Sequence, residues 1–264
     1  MVNITLFVKA GADGQRYGAC PFCHRLFMLL LVKAKHRPEL RFRVVTVNLA
    51  KPPEIFRQNT LTRVPALIDC QVVDDCHTDA AGDTVAVDTV DDIIEHLDTR
   101  YPTPELMYAN EEVADSACNR LFQKFCFYIK DMATGADSTG LTGELHKLDD
   151  YLGQQKQNNS STAGGGTYLC GTRLTSLDIE MWPKLHHIRV AAGYLKDYVI
   201  PARFAHVWSY MGEGYKQRAF VDSCPADQEI IFHWADRPET PNLTAEQNAQ
   251  LAKQEPRYSI DIPN

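Results

Sequence analysis

The sequence of 264 residues lacks three features, each of which would assign a class of protein. Its longest apolar run covers only Leu26 to Val32 before Lys33 interrupts it, whereas a membrane-spanning helix needs about 20 apolar residues. Acidic residues outnumber basic ones by 34 to 27, so the basic footprint of a nucleic-acid-binding protein is missing and we expect no nucleic-acid partner. The first residues show no basic segment followed by an apolar one, so we expect no secretory signal and a cytoplasmic location.

The chain does have eight cysteines, and the sequence Cys20-Pro-Phe-Cys-His24 brings two of them close together. This spacing is typical of a redox dithiol, half of a zinc site, or a haem attachment point. A zinc site needs a second ligand pair, and neither Cys70 with Cys76 nor His186 with His187 is a convincing one. We therefore expect no metal. Haem attachment requires export, which leaves the redox dithiol as the favoured interpretation beside the alternative of two core cysteines. His24 is interpreted as a surface residue.

Alternation and helical spacing predict a fold for residues 1–100. Strands are predicted at 4–9 and 41–49, with a helix from Pro21 to about Lys35 between them, which implies a parallel βαβ unit. Residues 65–70 and 84–88 predict an antiparallel hairpin with a long connection, and residues 89–101 predict a helix. The order βαβ followed by ββα is the plan of a thioredoxin-like domain.

The remainder of the chain shows almost no strand pattern. Residues 101–106 contain two prolines and are interpreted as a linker. Residues 107–236 predict an all-helical domain, in which one helix opens at Thr175 with Asp178 as the partner of a capping box. Residues 237–264 are polar and contain prolines, so a partly disordered tail is expected. The predicted class is therefore α/β followed by all-α.

In this plan Cys20 lies at or just before the N-terminus of the first helix, where backbone N–H groups favour a thiolate. Pro21 suits the first helical position, and Cys23, one turn later, can resolve a mixed disulfide. Val64-Pro65 falls where this fold keeps a cis-proline facing the active cysteine. The side chain of Lys9 either approaches the sulfur or a bound carboxylate, or is simply solvated.

The next helix begins at Asp88-Thr89. Its N-terminus either holds the γ-glutamyl carboxylate of glutathione or is simply capped by one of these two residues.

The two-domain plan resembles that of glutathione transferases, and several stretches resemble one family closely, the chloride intracellular channel (CLIC) proteins. These stretches are LFVKAGADG (6–14), CPFCHRLFMLL (20–30), VVTVNLAKPP (44–53), LDIEMWPKLHHIRVAAGYL (177–195), IPARFAHVWSYM (200–211) and FVDSCPADQEII (220–231). The resemblance implies glutaredoxin-like thiol chemistry that uses glutathione as substrate, with Cys20 as the reactive thiol. Many family members have Ser where this chain has Cys23. We therefore predict that glutathione is bound by Lys9, Pro21, Phe22, Val64, Pro65, Asp88 and Thr89.

The resemblance also implies conditional association with membrane lipids, insertion from about Cys20 to Leu49, and conduction of chloride ions, with a homo-oligomer in the membrane. Charged side chains interrupt that segment at Lys33, Lys35, Arg37, Glu39, Arg41 and Arg43. An omega-class transferase or a dehydroascorbate reductase is the alternative, because both share the fold and the cysteine. The segment SCPADQEII (223–231) favours the CLIC group over these enzymes.

Overall fold

The computed structural model describes residues 3–70, 84–108, 111–132, 137–158 and 168–263. Its contacts divide the chain into two compact units, Met1–Pro104 and Glu105–Asn264. The first unit contains strands and helices, and the described part of the second unit is helical apart from one isolated bridge. The predicted class, α/β followed by all-α, is confirmed.

The first unit follows the predicted order, with one short helix that the sequence analysis did not predict, α2. Its elements are β1 (Ile4–Lys9), α1 (Pro21–His36), β2 (Phe42–Val47), α2 (Glu54–Gln58), β3 (Ala66–Cys70), β4 (Thr84–Val87) and α3 (Val90–Arg100).

The four strands form one mixed sheet in the order β2-β1-β3-β4. Strands β1 and β2 are parallel, which confirms the predicted βαβ unit, and β3 pairs antiparallel with both β1 and β4. The predicted connection between β3 and β4, residues 71–83, lies outside the described residues. One hydrophobic cluster of this unit contains the buried side chains of Phe7, Val47, Phe56, Leu61, Ala66 and Ile68.

Helix α1 is buried on most of its surface. Its sixteen residues contain no glycine, and its only proline is Pro21 at the start, so nothing within the run interrupts the helical hydrogen bonds. The prediction that His24 lies at the surface is wrong, because its side chain is fully buried. Even the first turn of this helix packs inside the unit. The polar character of a histidine does not indicate such burial.

The last turn of α1 is held by a buried lysine. Lys33 is inaccessible to solvent, and its Nζ atom donates to the carbonyl of Tyr101 at 2.9 Å and, at 3.4 Å each, to the carbonyl of Leu97 and to Thr103 Oγ1. The same atom lies 2.7 Å from the carboxylate of Asp98. A buried ammonium group needs such partners to offset its desolvation. Lys33 therefore ties α1 to α3 and to the chain that follows it.

The described part of the second unit contains nine α-helices. They are α4 (Glu111–Cys118), α5 (Leu121–Lys130), α6 (Thr139–Asn158), α7 (Ser176–His187), α8 (Gly193–Lys196), α9 (Ala205–Lys216), α10 (Arg218–Ser223), α11 (Asp227–Ala235) and α12 (Ala245–Lys253). A turn of π-helix, Ile188–Ala192, joins α7 to α8. The capping box predicted at Thr175 is confirmed, because Asp178 accepts the backbone N–H of Thr175 at 2.8 Å.

The expectation of a partly disordered tail after residue 236 is wrong for the described residues. Helix α12 forms there, with a capping box between Thr244 and Gln247. The segment after it is anchored on Asp227, whose carboxylate accepts the backbone N–H of Ser259 at 3.1 Å and its hydroxyl at 2.6 Å. These contacts are non-local, so composition did not predict them. Among the helices of the described residues, none combines the length and the apolar character needed to cross a membrane.

Candidate functional site

The candidate site begins at the N-terminus of α1. Cys20 is the N-cap residue, with extended backbone angles of φ −149° and ψ 124°, and Pro21 follows inside the first turn. The side chain of Cys20 makes no capping hydrogen bond, and the first turn contains no acidic residue. The amide dipoles of this turn therefore remain available to stabilise negative charge on the Cys20 sulfur.

The loop before Cys20 returns the chain to the end of β1. The backbone N–H of Gly18 donates to the carbonyl of Lys9 at 2.9 Å. A Cβ atom at position 18 would lie 2.4 Å from the carbonyl oxygen of Ala10, so only glycine allows this approach. The loop therefore fixes Cys20 close to the end of the first strand.

Cys23 is fully buried behind Cys20, and the two residues are present as thiols. The backbone N–H of Lys9 lies 3.4 Å from Cys23 Sγ. Burial, together with a hydrogen bond to Cys20, raises the pKa of the Cys23 thiol well above its usual value. The buried thiol of Cys23 therefore stays protonated at neutral pH.

The pairing of the strands brings the other predicted residues to the end of the sheet that lies next to Cys20. This end is called the edge of the sheet below. In β1 and β3, Phe7 pairs with Ala66, so the end of β1 at Lys9 lies beside the chain at Val64 and Pro65. The peptide bond between Val64 and Pro65 is cis, as predicted. In β3 and β4, Leu67 pairs with Val87, so Asp88 follows β4 at the same edge.

Asp88 and Thr89 have different contacts. One oxygen of Asp88 accepts the backbone N–H and the hydroxyl of Thr62, both at 2.9 Å, and the other lies 3.5 Å from Nε of Arg63. Although partial burial opposes it, these hydrogen bonds and the Arg63 charge lower the pKa of Asp88. Thr89 is the N-cap of α3 and accepts the backbone N–H of Asp92 at 3.2 Å. Asp88 is thus an ionised carboxylate, and Thr89 is the cap.

Two features of this edge were missed by sequence reasoning. The contacts of Thr62 and Arg63 with Asp88 join residues 25 or 26 positions apart, and no local pattern indicates such a pair. The sequence left open whether the side chain of Lys9 approaches the sulfur or a bound carboxylate, or is solvated, and did not indicate the contact of its backbone amide with Cys23. Phe22 is 37% exposed beside the thiols, so it offers an aromatic surface there.

The fold defines the class of the protein. A four-stranded mixed sheet, a thiol at the start of the first helix and a helical second unit are the plan of the glutathione-transferase fold. Among solved structures, the chain is similar to a dehydroascorbate reductase of Chlamydomonas reinhardtii, with a TM-score of 0.64 and 24% identity over 88% of this chain and 97% of that one. At this identity the similarity shows the fold alone.

Sequence similarity then identifies the family. A family model described as the CLIC-like N-terminal domain matches residues 2–81. The chain is 34% identical to the chloride intracellular channel exl-1 of Caenorhabditis elegans, over 99% of this chain and all of that protein. It is 32% identical to the chloride intracellular channel Clic of Drosophila melanogaster, over 88% of this chain and 81% of that protein. The chain belongs to the chloride intracellular channel family.

A solved structure from the same family supports this assignment. The crystal structure of the CLIC homologue EXC-4 from C. elegans matches with a TM-score of 0.76 and 26% identity, over all of this chain and 95% of that one. The similarity therefore extends over both units of the fold.

Proposed function

We propose that this protein is a glutathione-dependent thiol–disulfide oxidoreductase of the glutaredoxin type, with Cys20 as the nucleophile. The observation that carries the proposal is the position of Cys20 as N-cap of α1, beside the buried thiol of Cys23. The helix N-terminus and a hydrogen bond from Cys23 both stabilise a thiolate at Cys20. The thiolate is the species that attacks a disulfide.

The proposed exchange has two steps. In the first, the Cys20 thiolate attacks the glutathione sulfur of a mixed disulfide, a Cys20–glutathione disulfide forms, and the other thiolate leaves and takes a proton from water. In the second, the thiolate of a second glutathione attacks the glutathione sulfur of that disulfide. Oxidised glutathione leaves, and the Cys20 thiolate is restored. Because the pKa of Cys23 is raised, free glutathione resolves the mixed disulfide more readily than Cys23 does.

The edge of the sheet supplies groups that fit glutathione. The γ-glutamyl end carries a carboxylate and an ammonium group. The N-terminus of α3 at Thr89 suits the carboxylate, and the ionised side chain of Asp88 suits the ammonium group. The backbone of Val64 beside Pro65 and the exposed face of Phe22 would contact the rest of the tripeptide. These assignments divide the two ends of the γ-glutamyl group between two neighbouring residues.

A glutathione–hydroxyethyl disulfide assay tests the proposal. Wild-type protein should reduce the mixed disulfide with glutathione, and Cys20→Ser should reduce the rate at least 100-fold because the nucleophile is lost. Cys23→Ser should retain most of the rate, since glutathione completes the exchange. Cys70→Ser, at an exposed thiol, is the matched control. Activity that survives Cys20→Ser intact would rule the proposal out.

The names of the two relatives favour a second function, conditional association with membranes and conduction of chloride. Helix α1 provides the apolar segment, and Lys33 is its main obstacle. A lysine near the bilayer centre costs about 2.5–3.5 kcal/mol, so a homo-oligomer around a hydrated lumen would have to shelter it. In the folded unit Lys33 must also lose its contacts with Tyr101 and Asp98 before α1 can leave.

Liposomes loaded with chloride test this second function. Wild-type protein should release chloride under oxidising or acidic conditions, and Lys33→Met should release it more readily because α1 is held less firmly. Absence of both liposome binding and chloride release under all of these conditions would rule out the channel function. It would not bear on the proposed thiol chemistry.

A further inference from the structure

The second unit contains a cavity that is separate from the thiol site. It has a volume of about 320 Å³ and lies among the π-helical turn Ile188–Ala192, the start of α8, helix α11, helix α12 and the segment after α12. Small-molecule pockets typically have volumes of about 300–1,000 Å³, so this cavity suits a small ligand. Turns of π-helix often occur at functional sites, and this one contributes Arg189 and Val190 to the wall.

The inner wall of the cavity is apolar. Val190, Ile231 and Leu251 line it and are each at least nine-tenths buried. Tyr194, which is 41% exposed, and Gln254, which is also exposed, lie at its rim. A ligand that fills this cavity therefore needs an apolar body, and its polar end must face the rim.

The polar atoms of Asp227 and Arg189 at the cavity already have partners within the chain. The two oxygens of Asp227 accept the backbone N–H and the hydroxyl of Ser259, as described above. The guanidinium of Arg189 donates to the carbonyl of Ser259 at 2.8 Å and to the carboxylate of Asp261 at 3.0 Å. Asp227 therefore needs no ligand for its hydrogen bonds, and Arg189 is paired with Asp261. The negative charge of Asp227 faces Arg257, whose Nε atom lies 3.7 Å away.

Arg257 differs from these two residues. Its Nε atom lies 3.7 Å from the carboxylate of Asp227, beyond ordinary hydrogen-bond distance, and its side chain is 78% exposed. Its backbone N–H is fixed by Gln228 at 3.0 Å. The guanidinium is therefore loosely held above the cavity on a chain segment of fixed position, where it can pair with an incoming anion.

We infer that this cavity binds a small amphipathic monocarboxylate, with its apolar body against Val190, Ile231 and Leu251 and its carboxylate on Arg257. A guanidinium matches a carboxylate with two parallel hydrogen bonds. Asp227 already places one negative charge 3.7 Å from this guanidinium, so a singly charged carboxylate is favoured over a doubly charged phosphate. The cavity is formed by residues of the second unit alone, so binding does not depend on the thiol chemistry proposed for Cys20.

Titration calorimetry on the full chain with 4-phenylbutyrate tests this inference. We expect saturable binding at one site, and at least tenfold weaker binding both for the neutral analogue 4-phenylbutan-1-ol and for acetate. Arg257→Gln should weaken 4-phenylbutyrate binding at least tenfold, because a hydrogen bond between two charged groups is lost. Arg218→Gln is the matched control, since Arg218 is an exposed arginine of the same unit whose partner is Asp222. Cys20→Ser should leave the affinity unchanged.

Amide NMR shifts on addition of 4-phenylbutyrate locate the site. They should cluster at Tyr194, Ile231 and Leu251. Shifts confined to the edge of the sheet around Lys9 and Val64 would overturn the location. Equal affinity of wild type and Arg257→Gln would show that Arg257 does not bind the carboxylate of the ligand. The absence of saturable binding at millimolar 4-phenylbutyrate would overturn the inference as a whole.

Discussion

The two ends of helix α1 are built for different purposes. At the N-terminal end, the side chain of Cys20 makes no capping bond and the amide dipoles remain available to a thiolate. At the C-terminal end, Lys33 makes three hydrogen bonds and one ion pair. One end therefore has a thiol in place of a favourable cap, and the other contributes stability.

With Cys20 as the proposed nucleophile, this difference would separate chemistry from stability along a single helix. Substitution at the thiol end should change reactivity more than folding, and substitution at the lysine end should do the opposite. Any process that removes α1 from its unit must break the contacts of Lys33 first.

The largest effect on stability is expected from Lys33→Ala, which should lower the free energy of unfolding by about 3 kcal/mol. The substitution leaves a cavity and removes the donor for the carbonyls of Leu97 and Tyr101. Asp98 is 61% exposed, so its charge stays hydrated and adds little to the loss. Urea unfolding measures the change. Lys35→Ala, at an exposed lysine of the same turn, is the control, and an equal loss in both variants would contradict the anchoring role of Lys33.

Alkaline pH should lower the free energy of unfolding through the buried thiol of Cys23. The pKa of Cys23 in the folded chain is raised well above 9.0, whereas in the unfolded chain it returns to the usual value. Between about pH 9 and 11 the unfolded chain therefore loses a proton that the folded chain keeps, so the free energy of unfolding falls by up to about 1.4 kcal/mol per pH unit.

Urea unfolding of wild type, Cys23→Ser and Cys70→Ser at several pH values checks this prediction. Other groups titrate in the same range, because burial also raises the pKa of Cys118 to about 12. The informative quantity is therefore the difference between variants. Cys23→Ser should flatten the pH dependence, and Cys70→Ser, at an exposed thiol, should not. Identical slopes for all three proteins would show that Cys23 titrates normally.

Thr89→Ala should lower the free energy of unfolding by about 1 kcal/mol, because α3 loses its N-cap. If Thr89 also contacts the γ-glutamyl carboxylate, the KM for glutathione should rise several-fold with little change in kcat. Thr244→Ala removes the corresponding cap of α12 and should lower stability by a similar amount without affecting glutathione. An unchanged KM in Thr89→Ala would show that the γ-glutamyl carboxylate does not contact the Thr89 hydroxyl.

Local patterns predicted most of the first unit and the start of one helix in the second. Helix α1, the βαβ unit and the capping box at Thr175 depend on residues close in sequence, and each was recognised from them. The burial of His24 and the partners of Lys33 depend on chain segments far away, since Lys33 contacts residues 64 to 70 positions later. The same reason explains the tail, because Ser259 contacts Asp227 across 32 positions. The composition of residues 237–264 shows only that this segment is polar, so it could not predict the contact of Ser259 with Asp227.

The smallest effect on stability is expected from Cys20→Ser, although this variant should lose the proposed activity. Serine is among the most favourable N-cap residues, and cysteine makes no capping bond here, so the change in the free energy of unfolding should be about 0.5 kcal/mol or less and in the stabilising direction. Urea unfolding of the reduced proteins measures it, with Cys23→Ser as the buried comparison. A loss of more than about 1 kcal/mol in Cys20→Ser would show that Cys20 contributes to packing, and the two ends of α1 would then not be separable. A neutral or stabilising result means that the sequence keeps a thiol where a hydroxyl would suit the helix better, as expected if reactivity determines the residue at position 20.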